Sequence, residues 1–147
     1  MRIPTKARYG LRALVDLAGH DGSGRPVLLK DIAARQDLSE RYLEQIFSGL
    51  RRAGLVRSVR GAKGGFLLAR PPAEISLLEV VEGCIGNLKM VQCLENDSSC
   101  NKTAKCATYV IWKELTAVME DYLRDKTLAS LAEVQEELDA DNLTYYI

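Results

Sequence analysis

Three of the chain's four cysteines, Cys93, Cys100 and Cys106, share one polar stretch of sequence. Six residues separate the first pair and five the second. No CxxC pair is present, so a tetrahedral structural zinc knuckle fits poorly. Three thiolates on a loop of this size can instead wrap an iron–sulfur cluster, which favours soft sulfur ligands. Lys102 and Lys105 would help to keep such thiols deprotonated. By spacing alone, free thiols or a redox disulfide fit equally well. Cys84 differs from the other three, because it stands at helical spacing with Leu77, Val80 and Val81 and reads as a small buried apolar residue.

Nucleophilic catalysis has little to work with. The single histidine, His20, falls at the end of a helical pattern away from the cysteines, leaving no Cys–His or Ser–His pair. An enzyme is therefore not expected, and His20 reads as a helix-terminal surface residue.

A second chemistry is carried by charge. The formal net charge is zero, yet residues 1–70 hold 14 Lys+Arg against 6 Asp+Glu, and residues 71–147 hold 6 against 14. A basic half suits nucleic acid or another polyanion, and an acidic half suits a region kept away from it. Uneven scatter of solvated charge is the plainer reading, but a difference of sixteen charges between the halves disfavours it. The sign changes at Pro71-Pro72, a stiff pair that cannot lie inside a helix. The expected division is residues 1–70 as one module and 71–147 as another.

These groups need elements to hold them. Thr5 is expected to cap a first helix that ends near Gly19, with Leu11, Leu14, Val15 and Ala18 on one face. A loop follows through Asp21-Gly22-Ser23-Gly24, then a short helix over 29–35 with Ile32 and Ala33 inward. Ser39 is a good cap for a longer helix over 40–53, whose apolar stripe is Leu43, Ile46, Phe47 and Leu50. Arg41, Gln45, Ser48 and Arg52 fall on the opposite face, and Gly54 ends the helix. Two strands over 55–60 and 66–68 enclose the basic, glycine-rich tip Gly61-Ala62-Lys63-Gly64-Gly65. The pattern predicts a mainly α fold with a small β-hairpin wing: a winged helix-turn-helix.

In the second half, Ser76 and Glu79 form a capping box that should start a helix. A long helix over 107–124 carries Ile111, Leu115, Val118 and Tyr122 at steps of four, three and four, which suits a coiled-coil seam or a core helix. Thr127 and Ser130 offer caps for a last short helix to about 138, and Tyr145-Tyr146-Ile147 carries no signal. No apolar run approaches the ~20 residues of a membrane span. Arg2, Lys6, Arg8 and Arg12 interrupt any leader-like opening, so a cytoplasmic protein with no membrane partner is expected.

The run Leu38-Ser39-Glu40-Arg41-Tyr42-Leu43-Glu44-Gln45-Ile46-Phe47, then Gly54-Leu55-Val56, then Val59-Arg60-Gly61-Ala62-Lys63-Gly64-Gly65-Phe66 closely resembles the Rrf family of bacterial winged-helix transcriptional regulators, nearest to its iron–sulfur cluster regulators. The likeness extends along nearly the whole chain. It implies a homodimer formed through the long C-terminal helix and bound to double-stranded DNA. The helix over 40–52 would lie in the major groove, with Ser39, Glu40, Arg41, Tyr42, Glu44 and Gln45 at bases or phosphates. Arg60, Gly61 and Lys63 of the wing would enter the minor groove. In the resembling regulators the glutamate matching Glu44 governs which class of site is read.

The resemblance also implies an iron–sulfur cluster at Cys93, Cys100 and Cys106 that controls DNA affinity, two-iron (2Fe-2S) ahead of four-iron. Where the cluster regulators have a histidine three residues after the last cysteine, this chain has Tyr109. Where the nitric-oxide-sensing branch has a carboxylate in the first helix, it has Arg8. Glu95, Asp97, Tyr109, a residue of a partner subunit or an exogenous thiol are the candidates for a fourth ligand. The alternative is a metal-free thiol-redox or partner-dependent winged-helix repressor. The operator and the direction of regulation do not follow from the residues.

Overall fold

The computed structural model describes residues 2–21 and 24–144. The chain forms α1 (Thr5–His20), α2 (Leu29–Gln36), α3 (Glu40–Arg52), an antiparallel hairpin of β1 (Val56–Val59) and β2 (Gly65–Leu68), α4 (Leu77–Ile85), α5 (Gln92–Glu95), α6 (Ala107–Asp125) and α7 (Leu128–Thr144). The predicted winged helix-turn-helix is present, mainly helical with one two-stranded sheet.

The core lies where the apolar stripe of α3 predicts it. Leu43, Ile46, Phe47 and Leu50 are all 0% exposed. They pack with Leu14 and Leu17 of α1 and Ile32 of α2. Phe47 meets Phe66 of the wing edge to face, with ring centroids 4.8 Å apart. The hairpin is thus fastened to the back of α3 by aromatic packing as well as by chain connection. Arg41, Glu44, Gln45 and Ser48 are left exposed on the far side of the same helix.

The ends of α3 follow local rules. The Ser39 hydroxyl accepts from the Tyr42 amide at 3.1 Å, giving up one otherwise orphaned donor. Gly54 follows the C-cap, and the Leu55 amide returns to the Leu50 carbonyl at 3.0 Å. Asp37, with φ 53°, makes the sharp turn between α2 and α3.

Helix α4 packs in the cradle of α1 and α3. At Gly49 of α3 a β-carbon would lie 2.6 Å from the Gly83 carbonyl, so the two backbones meet at a distance that only glycine permits. Cys84 is buried there as expected, and burial pushes its thiol up to about 11. Ser76 and Glu79 form the predicted capping box. A short bridge pairs Ser76 with Thr127, through Leu77 N–H to Lys126 C=O at 2.9 Å and Leu128 N–H to Ile75 C=O at 2.8 Å. This carries fully buried Leu128 into the same core as α1 and α3.

Several local expectations are corrected. Thr5 is the first residue of α1, not its cap; Pro4 holds that position, and Thr5 Oγ1 accepts from Arg8 Nη2 at 3.4 Å instead. Pro72 opens a short 3₁₀ turn through Glu74, so the proline pair is not extended throughout. Helix α7 runs to Thr144, well beyond 138, because neither glycine nor proline follows Thr127 to stop it. Its Thr127–Ser130 start is as predicted: the Ser130 amide donates to Thr127 Oγ1 at 3.1 Å. Residues 22 and 23 of the first loop and 145–147 lie outside the described residues. No helix among the described residues is long and apolar enough to cross a membrane.

Candidate functional site

The outer face of α3 and the tip of the wing present most of the residues singled out for nucleic acid. Ser39, Glu40, Arg41, Glu44 and Gln45 are exposed along the first turns of α3. Arg60, Gly61 and Lys63 are exposed at the hairpin tip, where the Gly64 amide closes a turn onto the Gly61 carbonyl at 3.0 Å. Tyr42 departs from this set. It is half-buried on the flank of α3, its ring edge-on to Tyr9 at 6.1 Å. The Arg8 and Arg12 guanidiniums lie 5.6 and 5.3 Å from the Tyr9 ring centroid, cation–π contacts that bring α1 charge beside the start of α3.

What aims the wing is its junction with the segment before α2. Val27 and Phe66 exchange backbone hydrogen bonds of 2.9 and 2.8 Å. Gly65 has φ 144°, and a β-carbon there would lie 2.4 Å from the Val27 carbonyl. Any side chain at Gly65 would push the wing off this junction.

A half-buried ion pair, invisible in the spacing, fixes the helix-turn-helix against α1. Asp16 is only 8% exposed. Its carboxylate accepts from Arg35 Nη2 at 2.6 Å, from Arg35 Nε at 2.9 and 3.1 Å, and from Gln36 Nε2 at 2.9 Å. Arg12 Nη2 donates to the Gln36 carbonyl at 2.7 Å. The last turn of α2 is therefore clamped just before the turn that launches α3. The one available signal was Asp16 itself, a carboxylate within the apolar Leu14, Val15 and Leu17 run of α1. His20, exposed at the helix end as expected, sets its Nδ1 2.7 Å from the Asp16 carbonyl oxygen.

The three cysteines sit on a segment built from short turns: α5, a 3₁₀ turn over Asp97–Ser99 and another over Thr103–Lys105. All three are half-exposed. Cys106 is the N-cap residue of the 19-residue α6. A hydrogen bond with Thr108 Oγ1 at 3.2 Å lowers its thiol below the usual range, with further help from the Tyr109 amide and the Lys102 charge. Among the described residues no three His, Cys, Asp or Glu side chains come close enough together to hold a metal ion. The donor types, three soft sulfurs on a lightly bonded segment, suit an iron–sulfur cluster, but this conformation does not gather them. Tyr109 is half-buried one turn into α6, and Glu95 is exposed at the end of α5.

Helix α6 is open along its apolar stripe. Val110, Ile111, Leu115, Val118 and Tyr122 are between 37 and 64% exposed, and Thr116 is the buried residue of this helix. A core-helix reading of α6 within one chain is thereby excluded.

A family model for Rrf2, described as an iron-dependent transcriptional regulator, matches residues 3–134. The transcriptional regulator IscR of Cronobacter sakazakii is 39% identical over 142 residues, covering 97% of this chain and 86% of the relative. Among solved structures, CymR, the global cysteine regulator of B. subtilis, superposes with a TM-score of 0.74 at 37% identity, covering 91% of this chain and 98% of its own. The T. potens IscR superposes equally well, with a TM-score of 0.74 at 38% identity over 94% of this chain and 90% of its own.

Proposed function

Since the chain belongs to the Rrf2 family of winged-helix, DNA-binding transcriptional regulators, which are not enzymes, we propose that it binds its operator as a homodimer under the control of an iron–sulfur cluster. Residues 1–70 read the DNA, and residues 71–147 carry the sensing segment and the dimer helix. The observation that carries the sensing role is the placement of Cys93, Cys100 and Cys106, half-exposed, on one segment of short turns leading into α6. The dimer reading is supported by the open stripe of α6, since an exposed apolar seam of this length is a hazard unless a second copy covers it.

In this reading the N-terminal turns of α3 enter the major groove. Arg41 and Gln45 face base edges and phosphates, and Ser39 and Glu40 stand at the helix entry. Tyr42, held against Tyr9, braces the helix from its flank as well as reaching phosphate. The wing carries Arg60, Gly61 and Lys63 to the minor groove. Glu44 is repelled by phosphate and is tolerated only where it accepts from a cytosine amine. Glu44→Ala should therefore relax base preference at that position by about 1–3 kcal/mol, with affinity for unrelated DNA rising as the repulsive charge is removed. Selection of binding sites from a random duplex pool measures this, and an unchanged consensus would refute the role.

A bound cluster would supply a common anchor for the three thiolates. The chain's own part is to favour the thiolate form: the Thr108 hydroxyl and the Tyr109 amide act in that direction at Cys106. Ordering of the segment would then bias α6 and, through α4, the core beneath α3. Anaerobic purification followed by iron and acid-labile sulfide assay tests the proposal. The expected product is coloured, with iron and sulfide that disappear in Cys93→Ala.

A second reading has its own support: the three thiols are not gathered in this conformation, and the Cys106 thiol is lowered below its usual range. The chain is then a metal-free thiol sensor. Colourless protein that resists reconstitution and still binds DNA would favour that reading and overturn the cluster.

A further inference from the structure

Between α3 and the wing runs a groove of about 400 Å³ with an apolar floor of Leu29, Val59 and Phe66, beneath which Phe47 is buried. Lys30, in the first turn of α2, and Arg51, near the end of α3, line it together with the Ser58 hydroxyl of β1. Both cations are exposed, and neither side chain has an ion-pair partner among the described residues. Glu40 and Glu44 line the groove as well. They precede Arg51 by about 16 and about 10 Å along the helix axis, so the carboxylates lie in the N-terminal half of α3 and Arg51 near its C-terminal end.

We propose that this groove seats one sugar–phosphate strand of duplex DNA, with Lys30, Arg51 and the Ser58 hydroxyl on its phosphates. The inference rests on the reading above that α3 occupies the major groove and the wing the minor groove. The strand that separates those two grooves must then pass between α3 and the hairpin, where this channel lies. Its width is set by the Phe47–Phe66 contact at 4.8 Å, and its far wall by the Val27–Phe66 bridge that holds Lys30 beside the wing. Phosphate contacts fix register and orientation without reading sequence. Lys30 and Arg51 are accordingly positioning residues, separate from the base-reading set at the start of α3.

The test is the salt dependence of binding for K30Q, R51Q and the double variant. Each is measured on a duplex selected from a random pool and on an unrelated duplex of equal length. Each single substitution should flatten the slope of log K against log salt by about 0.9, and the double by about twice that. Affinity for the two duplexes should fall by the same factor, and thermal unfolding should be unchanged because both side chains are exposed. An unaltered slope in the double variant overturns the proposal, as does a changed preference between the duplexes. R41Q and Q45A separate the two possible failures. If they weaken binding while K30Q and R51Q do not, the groove alone is wrong; if none of the four acts, the placement of α3 falls with it.

Discussion

Phe47→Ala should lower stability by about 3–5 kcal/mol, a large part of the 5–15 kcal/mol that holds a domain of this size together. Phe47 is fully buried at the centre of the α3 stripe and is the residue that joins α3 to the wing through Phe66. Its removal leaves a cavity on which α1, α2 and the hairpin cannot all close. The loss of DNA binding should exceed what unfolding accounts for, because the wing loses its aromatic fastening in the molecules that remain folded. Urea denaturation measures the first effect, with the midpoint shifted and the slope kept. Phe47→Leu serves as the control and should recover most of the stability. A loss below about 1 kcal/mol in Phe47→Ala would contradict the packing described.

Asp16→Ala is the second large effect, expected at about 2–4 kcal/mol. The carboxylate is almost entirely buried, whereas Arg35 keeps about a third of its surface in water. Arg35 can therefore rehydrate when its partner goes, which places the loss below that of a fully enclosed pair. Gln36 Nε2 loses its acceptor at the same time. A double-mutant cycle with Arg35→Ala should give a coupling of about 1–3 kcal/mol; additive losses would show that the pair does not act as one. Because the clamp sits one residue before the Asp37 turn, surviving Asp16→Ala protein should also read its operator less sharply.

Most of the winged helix-turn-helix was legible because its elements obey local rules. The stripe of α3, its Ser39 cap, the Gly54 stop and the glycine-rich hairpin each follow from residue type and spacing. The Asp16–Arg35 clamp was not legible, since its partners are nineteen residues apart and their meeting depends on how α1 crosses α2. The end of α7 was misjudged for a different reason: helix stops are written by glycine and proline, and the acidic tail has neither. The resemblance placed Tyr42 at bases or phosphates, and its edge-on contact with Tyr9 is a tertiary feature that helical spacing does not contain. The cysteine segment was legible as chemistry and not as shape. Its short turns are held by few hydrogen bonds, and residue pattern decides little where packing is thin.

The bridge between Ser76 and Thr127 makes the fifty residues that separate them a detour that returns to its point of departure. Whatever the excursion contains, its two ends are clasped together at the edge of the core. Inserting or deleting residues around Cys93–Cys106 then changes the circumference of a closed loop, a cost that grows only logarithmically with length. The flanking helices need not move to absorb it. One winged-helix core can on this plan accept intervening segments of quite different length and cysteine spacing, exchanged like cassettes behind a fixed clasp.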